Sequence, residues 1–187
     1  MVRMQIRGDN AAVIHWLEGV WVAKYAAYDP WCKEIHSQQE LLLRNTVLMS
    51  PEPGAKLWQH VYREHNQRAD ALAGSGAVGS SECPVWLRWP TGLSAEGICV
   101  MGNFDGSWHN TTRAGGFGWH VSVSKNGMDW IAVAHCCGPV RNAVSATGCE
   151  LMAAVSLHSW ITALFTGGLA EASNVQMRHS CGITLMQ

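Results

Sequence analysis

The chain has 187 residues, 48% of them hydrophobic and only 14% charged, with ten tryptophans. That composition excludes a solvated disordered chain and suits one domain with a sizeable core better than two. Lys plus Arg number 13 against 14 acidic residues, so bulk cationic charge does not drive binding to nucleic acid, and any phosphate contact has to be local and modest.

In chain order, residues 1–8 alternate apolar with polar side chains, which predicts a strand at residues 4–7 and not a signal peptide. A helix follows over residues 11–22, Asp29-Pro30 breaks the pattern, and a second helix is expected over residues 32–43. Ser50-Pro51-Glu52-Pro53-Gly54 marks a loop. Residues 57–62 fit a strand, and Asn66 is placed to N-cap a helix that runs through Ala73. Residues 74–97 carry Gly74, Gly76, Gly79, Ser80, Ser81, Pro84 and Pro90 and read as a linker. Three strands are expected at residues 98–104, 118–124 and 130–136, with Lys125-Asn126-Gly127 as a hairpin turn. The longest helix should span residues 146–165; its apolar stretch from residue 151 is broken by Ser156, His158, Ser159 and Thr162 and reads as too short to cross a bilayer. Seven cysteines without small-scaffold spacing point to buried thiols in a reducing, intracellular compartment, cytoplasmic or nuclear.

Two acids stand where apolar residues are expected. Glu150 heads a stripe of Ala154, Leu157, Ile161 and Leu164 on one helix face, and Asp105 ends the apolar strand at residues 98–104. A carboxylate so placed must be hydrogen-bonded, protonated or bound to a cation, because burying an unpaired charge is costly. Each residue alone also allows a plainer reading, Glu150 as a first-turn helix acid and Asp105-Gly106 as a turn.

Four motifs bear on that choice. GNFDGSW at residues 102–108, continued by AGGFGWHVS at 114–122, resembles the first hairpin of plant- and retroelement-type ribonuclease H domains, and SATGCEL at 145–151 resembles the helix that carries the family's glutamate. MQIRGDNAAVIHWL at residues 4–17 resembles the strand and helix around its third acid, and HVYREHNQRADALA at 60–73 its last strand, loop and Asp-bearing helix. In this chain the closing half precedes the opening half. The resemblance therefore implies a circularly permuted α/β domain, a ribonuclease H-like mixed five-stranded sheet flanked by helices. Residues 1–73 would be the closing half, 74–97 the linker, 98–171 the opening half and 172–187 a residual strand-like tail, where VQMR at 175–178 nearly repeats MQIR at 4–7.

The same resemblance implies a metal-dependent endonuclease that hydrolyses the RNA strand of RNA/DNA hybrids. Its metals would be two Mg²⁺ ions, with Mn²⁺ as a substitute. Asp105 would bridge both, Asp70 would complete the nucleophile-side site, and Glu150 with Asp9 would hold the other. His65, with Glu64 as its rival, would assist proton transfer. Arg7, Arg63, Arg68, Arg113 and Arg141 are candidate phosphate contacts, and the tryptophans are mostly core, with Trp108 and Trp119 nearer the substrate side. His135-Cys136-Cys137, with Cys149 or with His179 and Cys181, matches no usual zinc spacing. Cys149, Thr147 and Gly148 depart from the residues usual around the family's glutamate, and no basic protrusion follows the first helix. Two other readings stand beside the enzyme: a catalytically inactive nucleic-acid-binding remnant of a mobile element, and a swapped oligomer cut from a tandem array. The expected state is a monomer that binds a hybrid and no membrane.

Overall fold

The computed structural model describes residues 2–23, 25–45, 48–49, 56–86, 97–141 and 144–166. Strand β1 (Val2–Gly8) leads into helix α1 (Ala11–Leu17). Asn10 caps that helix by accepting the amides of Ala12 and Val13 at 3.2 and 3.3 Å. Gly19, at φ 71°, lies just past the helix end, so α1 stops five residues before the expected residue 22. Helix α2 (Asp29–Asn45) begins at the Asp-Pro pair that was expected to break the pattern. Proline in the first helical turn loses no intrahelical hydrogen bond, and Asp29 faces the positive end of the helix dipole.

Strands β2 (Leu48–Met49) and β3 (Trp58–His60) follow, then helix α3 (Gln67–Ala77) and strand β4 (Glu82–Trp86). The expected linker at 74–97 is thus corrected over its first part, where residues 74–77 finish α3 and β4 pairs antiparallel with the later strand β7 (Ile131–Val140), while residues 87–96 lie outside the described residues. Glycines and Pro84 suggested a linker, but an edge strand tolerates proline because one side of it makes no ladder hydrogen bonds. Strands β5 (Cys99–His109) and β6 (Ala114–Ser124) precede β7, and helix α4 (Ala146–Thr166) follows it. Asp105 therefore lies within β5, four residues short of its end. The loop at residues 50–54 and the tail at 172–187 lie outside the described residues.

The sheet is mixed. Its order is β2-β1-β5-β6-β7-β4, with β3 also on β1; β1 pairs parallel with β2, β3 and β5, and the remaining pairs are antiparallel. Five strands, β3-β1-β5-β6-β7, make up the expected sheet, and the short β2 and β4 extend it to seven. Helix α3 packs on β5, β6 and β7, while α4 lies against β5 and β6 and is covered in turn by α2. By length and composition α4 could cross a bilayer, which corrects the sequence argument that it is too short, but 89% of its apolar window is buried inside the fold. Its amphipathic stripe is only part of the picture, since residues 148–163 are buried on every side.

Close backbone approach fixes both helix layers. A Cβ at Gly106 would overlap the Glu150 amide nitrogen and the Cys149 carbonyl carbon, so the start of α4 rests directly on β5. On β6, a Cβ at Gly116 or Gly118 would overlap the backbone of α3 at Ala73 and Ala77. The register pairs Asp105 with Gly118 and Gly106 with Phe117, so Gly106 and Gly118 open opposite faces of the sheet.

We expect Gly116→Ala and Gly118→Ala each to destabilise the protein by ~1–3 kcal/mol or more through overpacking. Gly74→Ala, in α3 with no atom within 4 Å of the added carbon, should be neutral or stabilise by ~0.5–1 kcal/mol. Denaturant unfolding of the three variants checks this; equal effects at all three positions would contradict the packing argument.

Candidate functional site

Asp9 follows β1 directly, Asp105 lies in β5, and Glu150 sits in the first turns of α4. Ser145 sets the start of α4, its hydroxyl accepting the Gly148 amide at 3.1 Å and meeting the Tyr28 hydroxyl at 2.6 Å. β1 ends where its last partner on β5 is Asn103, two residues before Asp105. The strand that delivers Asp9 thus stops beside the strand that carries Asp105, and Gly106 lets Glu150 close in from α4. Ligand atoms of these three acids all lie within 4.8 Å of one another, the one such His/Cys/Asp/Glu group among the described residues.

Burial makes the cluster electrostatically tense. Asp105 is 3% exposed, and desolvation followed by the charge of Asp9 raises its pKa to about 7. Glu150 is 6% exposed and is raised well above the usual carboxyl value, first by burial and then by Asp105. Asp9 is raised too, by desolvation, against the opposing charge of Arg63. The contact between Asp105 and Glu150 is a hydrogen bond only when one of them holds a proton. Glu150 Oε2 is buried and meets no donor among the described residues. An all-oxygen donor set with one orphaned carboxylate oxygen fits a hard divalent cation.

The fourth acid departs from expectation. Asp70 occupies the first turn of α3, where its Oδ1 accepts from Arg63 Nη2 at 2.7 Å, and its side chain is 42% exposed. It stands outside the three-acid group, yet its charge still contributes to raising Asp9 and Asp105. The mutual 4.8 Å group among the described residues is thus Asp9, Asp105 and Glu150, and Asp70, the fourth acid expected there, stands near it in an ion pair with the exposed Arg63.

His65 and Glu64 are both exposed in a single 3₁₀ turn, Arg63–His65, that leads into α3. Asn66 follows them but does not cap α3 with its side chain; it is 1% exposed and turns into the core. Among the arginines, Arg7 is half-buried against Gln5, and Arg113 adopts φ 50° at the β5–β6 hairpin. Trp119 is wholly buried and donates to Ser156 Oγ at 2.9 Å, which removes it from any substrate-facing role, while Trp108 packs part-buried on the core. His60 is a contact that the sequence did not single out. Its Nε2 lies 3.1 Å from the Asp9 carbonyl, and because a carbonyl only accepts, that nitrogen carries the proton. Two cavities of about 430 and 370 Å³ lie elsewhere, beside α1 and β3, sharing Glu18, Lys56 and Trp58, and none of the four acids lines either one.

The raised carboxyls have a consequence for the metal-free protein. A carboxyl whose pKa is higher folded than unfolded contributes stability below its unfolded value, and that contribution is lost as pH rises through the folded value. For Asp105 the window runs from its ordinary 3.8 to about 7. With divalent ions chelated, Asp105→Asn should melt above the parent at about pH 8, by roughly 2–4 °C for each kcal/mol of repulsion relieved, and the two should converge near about pH 4. Thermal melting across that range tests it; identical melting at both ends would mean that the acids do not repel.

No family model matches this chain, and no curated protein or solved structure shows significant similarity to it.

Proposed function

We propose that the chain is a metal-dependent endoribonuclease that hydrolyses the RNA strand of RNA/DNA hybrids, built as a circularly permuted ribonuclease H-like domain. The observation that carries this reading is the convergence of Asp9, Asp105 and Glu150, from three separate stretches of sequence, with a buried Glu150 oxygen that meets no donor among the described residues. The topology is compatible with it. Strands from the two halves share one sheet, with β1 beside β5.

Asp9, Asp105 and Glu150 would hold the cation, with Asp70 as the fourth carboxylate at its edge. Bound there, Mg²⁺ or Mn²⁺, two ions by the resemblance, supplies the polarisation of water and the charge neutralisation that phosphodiester hydrolysis needs. His60 anchors the Asp9 backbone. Arg63, exposed beside Asp9, Asp70 and Asp105, offers a guanidinium to a phosphate backbone. His65, exposed in the adjacent turn, would assist proton transfer by the resemblance. Discrimination of RNA from DNA would rest on contacts to 2′-hydroxyls across a wide minor groove. The inactive-remnant reading draws on one observation, the engagement of Asp70 by Arg63.

Cleavage of a labelled hybrid should require Mg²⁺ or Mn²⁺, fall to background in Asp105→Asn and Glu150→Gln, and leave single-stranded DNA intact. Mg²⁺ at ten times its dissociation constant should also stabilise the parent by about 1.4 kcal/mol and do much less for Asp105→Asn. Undiminished cleavage in chelator would refute the metal mechanism, and a well-folded protein that neither cleaves nor gains stability from Mg²⁺ would establish the inactive remnant.

A further inference from the structure

We infer that Asn66 is a positioning residue for the metal centre: its side-chain amide pins the helix that carries Asp70 to the strand that carries Asp105, and so sets where the fourth carboxylate stands relative to the other three. The inference rests on the metal-dependent reading above. It starts from a residue that declines its obvious local role. Asn66 occupies the N-cap position of α3, where an asparagine side chain ordinarily accepts a helix amide, but it makes no cap hydrogen bond.

Instead it is 1% exposed and bonded inward. Its Nδ2 donates to the Phe104 carbonyl at 2.9 Å, and its Oδ1 accepts from Asn103 Nδ2 at 3.3 Å. Phe104 is the residue immediately before Asp105 and lies one position past the last β1–β5 register pair. Through its own backbone, the Asn66 carbonyl accepts the Asp70 amide at 3.0 Å. One residue thus bonds β5 beside Asp105 with its side chain and α3 at Asp70 with its main chain.

Packing alone would leave this placement loose. Gly116 and Gly118 allow α3 to press closely on β6, but a glycine surface resists approach, not sliding. Directional hydrogen bonds in a buried site resist sliding, because displacement leaves polar groups unpaired. Asp70 needs such a constraint, since its carboxylate is paired with the exposed Arg63 and lies outside the mutual group of the other three acids.

The test is Mn²⁺ binding to the full chain, measured calorimetrically without substrate, alongside thermal melting. The variants are Asn66→Ala, Asn66→Ser as the better tolerated replacement, Asp70→Asn as the ligand reference, and Val123→Ala as a destabilising control paired with Val100, five residues up β5 from Asp105. Both Asn66 variants should weaken Mn²⁺ binding about tenfold, as a lost outer partner of a metal ligand does, and in the same phase of the titration as Asp70→Asn. Val123→Ala should lower the melting temperature and leave Mn²⁺ affinity unchanged. Unchanged affinity in Asn66→Ser while Asp70→Asn weakens binding overturns the positioning role alone. Unchanged affinity in Asp70→Asn also overturns it, by removing the ligand to be positioned. A parent protein that binds no Mn²⁺ overturns the metal-dependent reading itself.

Discussion

Bare backbone at Gly106, Gly116 and Gly118 is the constraint on which the arrangement depends. A side chain at any of them would collide with the main chain of a packed helix. Gly106 lets the first turns of α4 rest on β5, which is how Glu150 reaches Asp105. Gly116 and Gly118 let α3 settle on the opposite face, which brings Asn66 to Phe104 and Asp70 to the border of the cluster. Two helices on two faces are therefore referenced to the same stretch of β5. Interiors are close-packed and yield little, so a displacement of one layer is felt by the acid it carries.

What the packing brings together, electrostatics pushes apart. Asp105 and Glu150 have lost most of their water and stand against each other, and Asp9 adds a third carboxylate. The cluster is a local conflict that the rest of the fold has to offset. The offset here is a large apolar interior in which α4 is enclosed on all sides, with Trp119 and Trp160 packed at 5.2 Å between ring centroids. The α2 layer over α4 contributes the buried Ile35 and Leu42 together with a neutral polar contact. His158, fully buried and with its pKa lowered to about 4 by burial, stacks on Trp58 and bonds Gln38, adding a rigid contact without a charge.

Arg63 and Asn66, three residues apart, hold α3 by different means. The guanidinium is exposed and holds the Asp70 carboxylate through an ion pair that water and salt weaken. The amide is buried and holds the beginning of the helix toward β5 through bonds that water does not reach. An exposed pair exchanges for a new partner far more readily than a buried one. The carboxylate of Asp70 is accordingly the adjustable member of the four, while its backbone is held.

Much was legible in the sequence, because much of it is local. Alternation in residues 4–7, the apolar run at 98–104, the helical period after Ala146 and the turn chemistry near Asn126 depend on neighbours in the chain. So does the oddity of Glu150 heading an apolar stripe. Other features depend on contacts between distant segments. Residues 74–86 looked like a linker because their glycines and Pro84 were judged without β7, the partner that makes part of them an edge strand. Asn66 looked like a cap because the carbonyl of Phe104, 38 residues away, cannot be seen from its own helix. Asp70 looked equivalent to the other acids because residue type says nothing about a competing cation. The sequence by itself determined most of the strands and helices and which acids stand in apolar company. The tertiary structure alone decided which of those acids share one dehydrated space, because that depends on how closely two helices can approach one strand.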